Sequence, residues 1–100
     1  MFYQLIAFSV KLINECNKHI TIRGMFATPI DLSNRLSDDD LYEIAEEYIT
    51  KNVLAKHADN YISNMRITLV DVIDVNKGEN IKDVVANYAV HFMLKKLVDE

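Results

Sequence analysis

Residues 2–27 read FYQLIAFSVKLINECNKHITIRGMFA, and this stretch sets the fold. The even positions Phe2, Ile6, Phe8, Val10 and Leu12 are apolar, broken only by Gln4, while odd positions include Ser9, Lys11 and Glu15. Alternation with a period of two marks a strand with one face buried. It recurs over residues 19–27, with Ile20, Ile22 and Phe26 on one face and His19, Thr21 and Arg23 on the other. The polar link Asn14-Glu-Cys-Asn-Lys18 is short enough to join the two as a β-hairpin. Pairing even with even brings both apolar faces to the same side of the sheet.

Beyond the hairpin, Pro29 ends the second strand, because it has no N–H for a ladder. Ser37 followed by Asp38-Asp39-Asp40 predicts a helix start: hydroxyl oxygen and negative charge both satisfy the free N–H groups there. Leu41, Ile44, Ala45, Tyr48 and Ala55 form its apolar stripe, and Asn52 within the stripe predicts a bend or an end. Asp39, Asp40, Glu43, Glu46 and Glu47 lie on the opposite, watered side. Residues 65–75, MRITLVDVIDV, read as a third strand with Met65, Ile67, Leu69, Ile73 and Val75 facing one way. Asp71 interrupts that face and is read as a β-bulge that reverses which positions face in. Gly78 suits a turn with positive φ, and Asn80 with Asp83 suits the cap of a second helix. The expected fold is α+β, a single small domain of order β-β-α-β-α. Its three-stranded antiparallel sheet has order 2-1-3, with both helices packed on one face.

The last helix carries more apolar surface than one sheet can cover. Ile81, Val84, Val85, Tyr88 and Phe92 form the core stripe. Ala86, Val90, Met93 and Leu97, with Leu94 beside them, form a second stripe at the four-three-four spacing of a two-helix seam. Each larger side chain left exposed forfeits roughly 1.5–3 kcal/mol, and exposed apolar patches mark interfaces. This predicts a protein partner, or a homodimer formed through the last helix. A kink near Ala89, or a first helix that wraps around, would bury the same residues inside one chain.

Composition narrows the function. A chain of 100 residues, 50% hydrophobic and 26% charged, is one globular domain and too apolar for disorder. A net charge of -4 opposes phosphate-backbone binding as the main activity. Charge is unevenly placed: residues 1–36 carry +2, residues 37–64 carry -5 and residues 65–100 carry -1. The acidic first helix suits a basic partner groove. The hairpin face with Lys11, His19, Arg23 and one aromatic, Tyr3, offers an alternative, a single-stranded nucleic-acid platform.

Chemistry is sparse. His19, His57 and His91 fall on separate elements, and Cys16 sits alone in the hairpin link. With two glycines and one proline there is no phosphate-binding glycine loop, and no nucleophile elbow or His-Glu-x-x-His. Asp71 and Asp74 support a third alternative, a small metal-dependent enzyme, but their spacing to Lys77 is one residue too long for a nuclease-like run. No cofactor is implied. The apolar N-terminus lacks a basic flank and a small-residue cleavage site, and no apolar run reaches membrane-span length. A single cysteine fits a cytoplasmic protein. The expectation is a non-catalytic interaction module with no membrane contact, suited to a phage-type inhibitor or accessory factor. It would use Asp39, Asp40, Glu43, Glu46, Glu47, Ala86, Val90, Met93, Leu94 and Leu97.

Overall fold

The computed structural model describes the backbone of residues 1–33 and 36–99, and the side chains of residues 1–33 and 36–92. Strand β1 (Phe2–Asn14) and strand β2 (His19–Pro29) form the expected hairpin. Helix α1 (Asp38–Asn52) follows, then a 3-10 turn (Leu54–Lys56), strand β3 (Asn60–Asp74) and helix α2 (Ile81–Asp99). The sheet is antiparallel with order β2-β1-β3. The hairpin pairs even with even: Ile6 with Phe26, Val10 with Ile22, Leu12 with Ile20. Asn14 shapes its turn by accepting the N–H groups of Cys16 and Lys18 on Oδ1, with Asn17 at φ 60°.

Two cores form, one on each side of the sheet. Ile6, Phe8, Val10, Leu12, Phe26 and Met65 pack against Leu41, Ala45 and Ile49 of α1. On the opposite side Leu5, Ile73 and Val75 pack with Tyr3, Ala27, Val70 and the α2 residues Ile81, Val84 and Val85. The helices therefore do not share one face, as periodicity had suggested. Adjacent residues of an extended strand point to opposite sides, so Leu5 and Ile6 cannot serve the same core. Tyr3, Leu5 and Ala7 make the first half of β1 apolar on both sides, the signature of a strand covered twice.

The bulge at the middle of β3 makes this possible. Leu5 pairs with Asp71 and Ile6 with Leu69, leaving Val70 as the extra residue. Before it, Met65, Ile67 and Leu69 face the α1 side; after it, Ile73 pairs with Tyr3 and faces the α2 side. Met65 through Val75 thus do not all face one way. A second register shift between Lys11 and Leu12 leaves Ser63 extra. It places Ile62 and Met65, three apart, on the same side and lets β3 begin at Asn60 rather than at residue 65.

Helix α1 opens with a complete capping box. Asp40 donates its N–H to Ser37 Oγ, and Asp40 Oδ2 accepts the Ser37 N–H. It ends at Asn52, so Ala55 lies in the 3-10 turn and is exposed rather than part of the stripe; Ile49 is the fully buried residue there. Asn80 Oδ1 accepts the Lys82 N–H at the start of α2, and Gly78 takes φ 101° in the preceding turn.

Candidate functional site

A groove of about 340 Å³ opens between the start of α1 and the outer strand β3, lined by Asp38, Asp39, Leu41, Tyr42, Ile67 and Leu69. Ser37 fixes where α1 begins, so its three consecutive acids gather at the N-terminal end, where the exposed N–H groups favour negative charge. Leu41 points into the core, while Tyr42, one position on, is 43% exposed. Leu69 is the last residue before the bulge and is 45% exposed. Past the bulge, Val72 pairs with Gln4 and so shares that side of the sheet with Phe2; both are exposed. Leu69, Tyr42, Val72 and Phe2 thus mark apolar surface that α1 does not cover.

This surface borders the free edge of the sheet. Among the described residues β3 pairs only with β1, so alternate N–H and C=O groups on its outer side have no strand partner there. Between the two bulges, Asn64–Leu69 keeps an unbroken register with β1. At the central bulge the side chains close off the irregular backbone: Gln4 Nε2 donates to the Asp71 carbonyl, and the Val72 N–H donates to Asp71 Oδ1.

The acids of α1 are all exposed. Asp40 is engaged in the capping box, and Glu47 pairs with Lys51 at 2.8 Å. The Lys51 hydrogen bond, and secondarily its charge, hold the Glu47 carboxyl below the usual carboxylate range. Asp39 lines the groove; Glu43 and Glu46 lie further along the helix.

The second predicted surface is described only in part. Ala86 is exposed and Val90 is 56% exposed, on a helix whose Ile81, Val84 and Val85 face the sheet. Met93, Leu94 and Leu97 lie outside the described side chains. Tyr88 of the core stripe is partly exposed at 37%.

Lys11, His19 and Arg23 lie exposed on the sheet side opposite α1, as alternation required. The β3 register adds residues that the hairpin alone did not reveal. Ser9 pairs with both Arg23 and Arg66, Lys11 with Thr21 and Asn64, and Ile13 with His19 and Tyr61. These three rows hold no acid.

The groups considered for chemistry are scattered. Asp71 pairs with Leu5 and Asp74 with Phe2, so the two carboxylates project to opposite sides of the sheet. Asp74 Oδ1 lies 3.1 Å from the N-terminal ammonium of Met1. Cys16 is exposed, and among the described residues no three His, Cys, Asp or Glu side chains converge as metal ligands. Among the described residues, no helix is long and apolar enough to cross a membrane.

Leu69, Tyr42 and Val72 were not legible as surface, because Leu69 sits in a pattern that reads as core. The usable signal was the bulge at Asp71, which marks where a helix-covered face stops. No protein-family model matches the chain, and no curated protein or solved structure matches it.

Proposed function

We propose that the protein is a non-catalytic interaction module that binds a protein partner through the groove between α1 and β3. The observation that carries this reading is the joint exposure of Leu69 and Tyr42 beside Asp38 and Asp39. Apolar surface supplies affinity when it is covered, while neighbouring charge selects the partner and speeds encounter. Affinity capture from a lysate of the producing cells tests the reading with wild type and Leu69→Lys side by side. A protein retained by wild type and lost on Leu69→Lys supports it; identical capture by both contradicts it.

Self-association through α2 is a second contact in the same class, supported by the exposure of Ala86 and Val90. Light scattering across concentration for wild type, Val90→Glu and Met93→Glu tests it. A dimer weakened by both substitutions agrees with the seam, and a monomer at every concentration removes it.

A different reading is favoured by the three acid-free rows of Arg23, Arg66, Lys11, His19 and Tyr61: a platform for single-stranded nucleic acid. Binding to a single-stranded oligomer at low salt, where backbone contacts are strongest, decides it.

A further inference from the structure

We infer that the outer edge of β3 at Asn64–Leu69 accepts an added strand from the protein partner, with apolar and basic residues toward α1 and polar or acidic residues on the other side. This rests on the groove reading above and specifies the partner's conformation and side-chain pattern.

An edge strand presents backbone donors and acceptors in register for another extended chain, and pockets beside it read alternate side chains. Six residues, Asn64 to Leu69, run without a register break. Their two sides differ in chemistry. Met65, Ile67 and Leu69 point toward α1, where the groove adds Tyr42, Asp38 and Asp39. Asn64, Arg66 and Thr68 point the other way and are exposed. An incoming strand therefore meets apolar surface with two carboxylates on one side, and a guanidinium with polar groups on the other. Opposite charges across a strand pair are favourable and like charges are not.

The same geometry argues against a second copy of this chain as the occupant. Antiparallel partners must share a face, so the copies pair about a residue as centre. Pairing centred on Arg66 sets the two guanidiniums directly opposite; pairing centred on Ile67 leaves them diagonal. Those two registers keep five of the six residues paired, and both bring like charges together. A basic and apolar strand meets no such conflict.

The test uses the full chain and an array of blocked extended peptides in which valine and lysine alternate with threonine and glutamate. Fluorescence anisotropy at low salt gives the affinities. For each binder, two N-methylated versions are made, methylated on alternate amides, so that one set blocks the amides facing β3 and the other does not. We expect one version to bind within about twofold of the parent and the other to lose roughly tenfold or more. Asp38→Asn with Asp39→Asn, shown folded by circular dichroism, should weaken the parent peptide about tenfold, and exchanging lysine for glutamate should abolish binding. If both methylated versions bind like the parent, side-chain docking in the groove stands and strand addition is overturned. If no peptide of the array binds, strand addition is overturned, and the groove reading is decided by the capture with Leu69→Lys. Sedimentation showing a dimer that excludes the peptide would assign the edge to a second copy and overturn the inference.

Discussion

Gly24→Ala should destabilise the fold even though alanine suits a strand better than glycine. Gly24 pairs with Phe8, and a Cβ built at Gly24 would lie 2.6 Å from Phe8 Cζ and 2.9 Å from Phe8 Cε1. The ring has little room to retreat. Its centroid is 6.2 Å from Phe26 and 6.0 Å from Tyr48, and those two rings stack at 4.1 Å. Overpacking of this kind costs about 1–3 kcal/mol. Reduced freedom of the unfolded chain returns about 0.4–1 kcal/mol. The net is a loss of about 1–2 kcal/mol, or a Tm lower by roughly 4–15 °C in a chain of this size. Thermal and urea unfolding followed by circular dichroism measure it. Phe8→Leu in the Gly24→Ala background should cost less than Phe8→Leu in wild type, with a coupling of about 1 kcal/mol. Unchanged or increased stability of Gly24→Ala would refute the close approach of ring and backbone.

Deleting Val70 removes the extra residue of the bulge and leaves Leu69 on Ile6 and Asp71 on Leu5 in one regular ladder, so Ile73 and Val75 still face α2; cooperative unfolding followed by circular dichroism should persist, and its loss would contradict this register. Ser37→Ala removes the hydroxyl that caps α1 and should cost about 1 kcal/mol in urea unfolding. The Glu47 carboxyl is held low by Lys51, so the pair contributes above the carboxyl's ordinary value and its contribution is lost as pH falls through the lowered one. NMR titration should show the Glu47 midpoint rising in Lys51→Ala; an unmoved midpoint would rule out the pair in solution.

The hairpin was legible because each strand has a plain even-numbered apolar face and the link is short. The order of the sheet and the Ser37 start of α1 were legible for similar local reasons. The faces taken by the helices were not. Leu5 and Ala7 lie at odd positions dominated further along by Ser9 and Lys11, so the pattern masks the second apolar face of β1. An amphipathic helix such as α2 carries no mark of which side of a sheet it will cover; the bulge at Val70 settles that by turning Ile73 and Val75 toward it. The early start of β3 was hidden because the bulge at Ser63 breaks the alternation between Ile62 and Met65. The exposure of the α1 acids follows from helical periodicity, which sets them opposite Leu41, Ala45 and Ile49. The groove beside them depends on Leu69 lying past the cover of α1, a tertiary fact that no local pattern contains.

The central claim is that a partner covers the α1–β3 side of the molecule. Amide hydrogen exchange of the full chain, alone and with the captured partner, tests it most directly. Slowed exchange at alternate residues within Asn64–Leu69, together with the first turns of α1, is the predicted result. Protection confined to α2, or to the rows of Lys11, Arg23 and Arg66, would contradict it.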